Sequence, residues 1–117
     1  MFKVIIAGGR DFDNYQLLCK CCDIALSTVT GEIEIVSGTA GGADKLGERY
    51  ANEKGYHIKR FPADWETYKK RAGYIRNDEM AQYADALIAF WDGFSKGTGH
   101  MINLANEHNI KVRIIKY

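Results

Sequence analysis

A single proline, Pro62, occurs in the 117 residues, and it falls in a connection rather than in a patterned segment. Three cysteines, Cys19, Cys21 and Cys22, crowd into one stretch. An odd, bunched set is a poor disulfide framework, so a reducing cytoplasm is the expected location. Cys19-x-x-Cys22 has the spacing of half a zinc site, but a structural zinc needs four ligands. No second pair exists, and His57, His100 and His108 are scattered, so no metal is expected. No apolar run approaches the roughly 20 residues that cross a bilayer, which removes a membrane partner. The stretch Met1–Ala7 is too short for a signal peptide and reads as a strand. Neither sign of charge dominates, since 16 Lys and Arg balance 15 Asp and Glu. The global electrostatic footprint of a nucleic-acid binder is missing, so nucleic acid is not the expected partner. Repeats, low-complexity tracts and linkers are absent as well. The expectation is one domain, 1–117, large enough to bury a core without cross-links or cofactor.

Within these bounds the chain alternates between short β-branched runs and helical patterns. Lys3–Ala7 reads as the first strand and Ile33–Ser37 as the second. His57–Phe61 is a weaker third, and Lys111–Lys116 a fifth. The fourth lies within Asp85–Trp91, a run apolar enough to be buried on both faces. Between them, Asn14–Ser27 places Leu18, Cys21, Cys22 and Ala25 on one helical face. Ala43–Lys54 carries Leu46, Tyr50 and Ala51 at helical spacing and stops at Gly55. Gly73–Tyr83 and Thr98–His108 are the remaining helices, with Ile75, Met80 and Ala84 turned toward the core. Such alternation predicts an α/β fold: a Rossmann-like three-layer sandwich around a five-stranded parallel sheet. Right-handed crossovers make 3-2-1-4-5 the simplest strand order. Ligands in such sheets bind outside the carboxyl ends of the strands, where the winding reverses.

The loops expected at that end are rich in glycine. Gly8-Gly9-Arg10-Asp11 follows the first strand. Ser37-Gly38-Thr39-Ala40-Gly41-Gly42-Ala43-Asp44 follows the second, and Asp92-Gly93-Phe94-Ser95-Lys96-Gly97-Thr98-Gly99-His100 follows the fourth. Glycine permits close backbone approach, and two of these loops open into helix N-termini, whose amides suit a phosphate. None ends in Gly-Lys-Ser/Thr and none is a complete G-x-G-x-x-G, which argues against a P-loop ATPase or an NAD enzyme. The stretch Gly73-Tyr74-Ile75-Arg76-Asn77-Asp78-Glu79 starts a helix near the same rim. Arg76 either grips a phosphate with two parallel bonds or pairs with Asp78 or Glu79. Asn77 suits a sugar hydroxyl or a base edge. Trp65 either stacks on a base or staples its loop to the core. His100 lies in the first turn after Gly97, facing either ligand or solvent.

These stretches resemble the SLOG superfamily of Rossmann-like nucleotide-binding domains. The small single-domain branch related to the Lonely guy phosphoribohydrolases is the nearest likeness. The resemblance rests on Gly8–Phe12, Ser37–Asp44, Ala63-Asp64-Trp65, Ala72-Gly73 with Ile75-Arg76-Asn77 and Met80, and the Gly97-Thr98 turn. It implies nucleotides or nucleotide-derived ligands in these loops, and for some members cleavage of the N-glycosidic bond of nucleoside monophosphates. The phosphoribohydrolase turn has the form P-G-G-x-G-T-x-x-E. Here Gly97 and Thr98 match, but the glutamate position falls on Met101, which cannot move a proton. The arginine of that family corresponds to Arg76.

The expected function is therefore binding of a nucleotide-derived small molecule, as a sensor or binder. Gly8, Gly9 and Arg10 would admit the ligand. Gly38, Thr39, Gly41, Gly42, Gly97, Thr98 and Gly99 would line the phosphate-binding rim. Arg76 would neutralise the phosphate, and Asn77 or Asp44 would contact the sugar. The alternatives are a nucleoside-monophosphate N-glycosidase, with Arg76 and a substitute carboxylate such as Asp44, Asp78 or Asp92, and a DNA-binding or assembly module. Relatives of this fold often pair, so a homodimer is the expected assembly.

Overall fold

The computed structural model describes all residues, 1–117. Five parallel strands form one sheet in the order β3-β2-β1-β4-β5. They are β1 (Phe2–Gly8), β2 (Ile33–Ser37), β3 (His57–Arg60), β4 (Ala86–Trp91) and β5 (Lys111–Lys116). The helices are α1 (Tyr15–Leu26), α2 (Ala43–Lys54), α3 (Trp65–Tyr68), α4 (Ala72–Tyr83) and α5 (Lys96–Glu107), with a 3-10 turn at Lys69–Arg71 leading into α4. The α/β class, the all-parallel sheet and its order agree with the sequence pattern.

Alternation along the central strands explains the three layers. Successive side chains point to opposite faces of a strand. Val4 and Ile6 of β1, with Ala86, Ile88 and Phe90 of β4, pack on Leu18, Cys22 and Leu26 of α1 and on Tyr50 and Ala51 of α2. Ile5 and Ala7, with Leu87 and Ala89, pack on Met80 and Ala81 of α4 and on Met101, Ile102 and Ala105 of α5. Both faces of β1 and β4 are thus buried, which is why β4 carries no polar residue at all. The three cysteines are free thiols, with Cys22 in the core. No helix is long and apolar enough to cross a membrane.

Two helix starts depend on visible chemistry. The Asn14 side chain accepts the Leu17 amide at 3.0 Å and opens α1. Asp64 does the same for α3 through Thr67, at 3.2 Å. The element boundaries differ from the sequence reading in instructive places. β3 ends at Arg60, one residue short of Phe61, and α4 begins at Ala72 rather than Gly73. α5 begins at Lys96 rather than Thr98. Asp92 causes this earlier start: its Oδ1 accepts the amides of both Phe94 and Ser95 at 2.8 Å and turns the chain at once. Lys96 and Gly97 consequently join Thr98 and Gly99 in the first turn of the helix. α3, a single turn, is too short to leave a periodic signal.

Candidate functional site

At the carboxyl end of the sheet, the loops after β1 and β4 part to form an open cavity of about 460 Å³. Its position between β1 and β4 is where the winding reverses. Gly8, Gly9, Arg10 and Asp11 form one wall, and Asp92, Ser95, Gly97 and Thr98 another. Ala40, Asp44, Arg76 and Asn77 come in from the side, over an apolar floor of Ala7, Met80 and Met101. Such a volume lies within the range of small-molecule sites, about 300–1,000 Å³.

Arg76 and Asp44 both come up against Gly38. A Cβ at Gly38 would lie 2.8 Å from Arg76 Nη1 and 2.9 Å from Asp44 Oδ2, so only glycine lets the two side chains close over this strand end. Arg76 Nη1 donates to the Gly38 carbonyl, and Nε donates to Asn77 Oδ1 at 3.0 Å. Those bonds fix the plane of the guanidinium and leave Nη2 without a partner in the protein, and the residue lines the cavities. Arg76 makes no ion pair with Asp78 or Glu79; Asp78 instead contacts His108 at 3.1 Å. Burial holds the guanidinium below its ordinary pKa, an effect Asp44 partly offsets.

Asp44 is only 6% exposed. Its Oδ2 accepts the Ala40 amide at 3.1 Å. Burial pushes its pKa up from 3.8 to about 6, and the Ala40 amide and Arg76 oppose the rise. Charge in a poorly solvated place is costly, which is the reason for the direction. The outcome is a carboxyl group that exchanges its proton near neutral pH.

The first turn of α5 supplies the donors. The first amides of any α-helix have no carbonyl partner within the helix. The side chain of Ser95 caps none of them. The Gly99 amide, one turn in, is already bonded to the Ser95 carbonyl at 3.1 Å. The amides of Lys96, Gly97 and Thr98 therefore form the electropositive end of the helix, and Gly97 and Thr98 line the cavity.

The remaining residues named from the sequence have different positions. Gly38 and Gly41 line a smaller neighbouring cavity. Thr39, Gly42 and Gly99 line none of the cavities. Gly42 has φ +66, and a Cβ there would collide with the Gly9 carbonyl oxygen, so this glycine joins the first two loops. Ala43 completes the junction by donating to the Gly9 carbonyl at 3.2 Å. Gly99 packs against Trp91. Thr39 sits at φ +65, an unfavourable conformation for a β-branched residue. Asn77 is buried and occupied: Oδ1 takes the Arg76 bond, and Nδ2 reaches the Gly97 carbonyl and His100 Nδ1, both at 3.4 Å. Its place is to tie α4 to the start of α5.

A buried network under the second loop is not readable from sequence. Ser37 Oγ donates to Glu48 Oε2 at 2.6 Å and accepts the Thr39 amide at 3.1 Å. Arg60 Nε donates to Glu48 Oε1 at 3.1 Å. Glu48 is four residues after Asp44, one turn further along α2, and so pins the loop that Asp44 also grips. The Glu48 spacing from Asp44 is the one available hint, but nothing in the sequence pairs it with Ser37. Asp92, expected as a candidate carboxylate, lines the wall, as do Asp11 and Ser95, which the sequence places in the rim loops. No group of three or more His, Cys, Asp or Glu side chains is placed to hold a metal ion.

Comparison with known proteins matches this architecture to a family. The profile of the YAcAr family, described as the YspA, cpYpsA-related SLOG family, matches residues 2–68. That stretch runs from β1 through α3 and includes the first two glycine loops and Asp44. The "Gene 61 protein" of Mycobacterium phage D29 is 32% identical over 118 residues, covering 96% of this chain and 94% of that protein. No solved structure matches the chain significantly.

Proposed function

The chain belongs to the YspA, cpYpsA-related SLOG family, and from that premise we propose that it binds a nucleotide-derived ligand at the carboxyl rim of the sheet. SLOG membership suggests nucleotide-related binding or processing. The observation that carries the reading is the mixed chemistry of one cavity. Arg10, Arg76 and the first turn of α5 favour an anion, whereas Asp11, Asp44 and Asp92 line the same space. A bare anion would be repelled by the carboxylates. A phosphorylated sugar satisfies both signs, with phosphate on the helix end and Arg76, and ribose hydroxyls donating to carboxylate oxygens.

In this reading Arg76 Nη2 contacts the phosphate, while Asn77 and Glu48 hold the walls. Calorimetric titration with nucleoside 5′-monophosphates tests it. Saturable binding that Arg76→Ala weakens about 10- to 100-fold is the expected result. Titrations without heat across the panel, or equal affinity in the variant, would remove the assignment.

One observation favours a second reading, that of an N-glycosidic hydrolase. Asp44 is a cavity carboxyl with a pKa of about 6, the poise of a general acid near neutral pH. It would supply the proton to the departing base, the role for which Met101, at 1% exposure in the core, is useless. Release of free base from nucleoside monophosphates, read by chromatography and reduced about 10²- to 10⁴-fold by Asp44→Asn, would establish this activity. Absence of release with intact binding would leave the protein a binder.

A further inference from the structure

Two smaller cavities, of about 250 and 200 Å³, adjoin the main one. Arg10 and Arg76 line all three, so the three cavities are neighbours that meet at these two residues. The main cavity contains no aromatic side chain. Trp65 lines both smaller ones, joined in the second by Tyr74 and Lys70. The staple reading of Trp65 does not hold. The indole is 51% exposed and belongs to neither core cluster. It makes no aromatic or cation pairing, unlike Tyr74, whose ring packs on His100 at 4.4 Å.

Its placement is nonetheless specific. The Asp64 cap fixes α3 directly at Trp65. The indole Cη2 approaches α4 at Gly73, where a Cβ would lie 3.6 Å from it. An indole on a half-exposed residue, lining two cavities that Arg10 and Arg76 line as well, has the features of a stacking platform. Aromatic faces accept any nucleobase, and neighbouring arginines add to the attraction.

We infer that Trp65 is the base-binding residue of the cleft, so that the ligand carries an aromatic base and not merely a phosphorylated sugar. The inference rests on the nucleotide reading above and assigns the ligand its orientation. Phosphate lies at the first turn of α5, ribose crosses the Arg10–Arg76 junction, and the base lies against the indole. Arg10 and Arg76 then act on the sugar-phosphate part, and Trp65 alone separates base-bearing from base-free ligands.

The test compares adenosine 5′-monophosphate with ribose 5-phosphate by calorimetry, in the wild type, Trp65→Ala and Trp65→Phe. The wild type should bind the nucleotide about 5- to 100-fold more tightly, the range that stacking of one base provides. Trp65→Ala should lose most of that advantage while its affinity for ribose 5-phosphate stays unchanged, and Trp65→Phe should restore much of it. Because Trp65 lies outside the core, a melting curve should find both variants folded. Equal affinity of the two probes for the wild type, or an advantage that survives in Trp65→Ala, would overturn the inference and leave the phosphate site standing. Failure of both probes to bind the wild type would overturn the nucleotide reading and the inference with it.

Discussion

Replacing Asp44 by asparagine isolates the energetic cost of placing a carboxyl group in this cavity wall. The folded-state pKa of about 6, against an ordinary 3.8, corresponds to about 3 kcal/mol between the two protonation states. The sign follows from which state releases its proton first. Between pH 4 and pH 6 the unfolded chain has ionised and the folded chain has not. Stability present in full below the unfolded pKa is therefore lost as pH rises through the folded pKa. Above pH 6 the wild type carries the whole penalty. Asparagine keeps an oxygen for the Ala40 amide and never ionises. Urea denaturation of both proteins, followed by circular dichroism at intervals from pH 4 to pH 8, reads the difference directly, and other titrating groups cancel. Asp44→Asn should equal the wild type near pH 4 and exceed it by about 2–3 kcal/mol at pH 7. A gap independent of pH, or a wild type more stable at pH 7, would refute the burial argument.

The remaining predictions separate framework from ligand contact. Gly42→Ala should cost about 2 kcal/mol or more, measured by denaturation, because the Cβ is both strained at φ +66 and driven into the Gly9 carbonyl. Gly97→Ala meets open space and should leave stability unchanged or raise it by up to about 1 kcal/mol. Its new methyl should nevertheless weaken nucleotide binding in a titration, because Gly97 lines the cavity. Arg76→Ala should lower nucleotide affinity about 10- to 100-fold, the range for charged hydrogen bonds. Glu48→Ala should lower stability by about 1–3 kcal/mol in a denaturant titration, since it leaves the buried Ser37 hydroxyl and Arg60 without their acceptor.

The fold was legible because its signals are local and redundant. β4 announces itself as a short, wholly apolar run and β1 as one interrupted only by Lys3, and α1 and α2 repeat their apolar residues at helical spacing between strands. Given alternating strands and helices, handed crossovers leave little choice of strand order. The site was legible only to the level of loops. Strand ends place Gly8–Asp11, Asp44 and Gly97 at one rim, and the cavity forms there. What individual glycines do depends on neighbours far away in sequence. Gly42 touches Gly9, Gly38 meets both Arg76 and Asp44, and Gly99 meets Trp91, yet in the sequence all three look alike. Asn77 looks like a free polar group until α5 begins two residues early and presents the Gly97 carbonyl to it. Ser37–Glu48–Arg60 joins β2, α2 and β3, and no periodicity encodes such a junction. For Trp65, exposure decides between core staple and cleft wall, and exposure is a property of the packed chain.

Amide mapping tests the central claim most directly. Isotopically labelled protein titrated with nucleoside 5′-monophosphates, and observed by two-dimensional nuclear magnetic resonance, reports each backbone amide separately. Binding at the carboxyl rim predicts saturable shifts at Gly9, Arg10, Ala40, Gly97 and Thr98, with little change at the opposite end of the sheet around Val29 and Lys111. Shifts confined to that opposite end, or no saturable shift at millimolar nucleotide, would contradict the account.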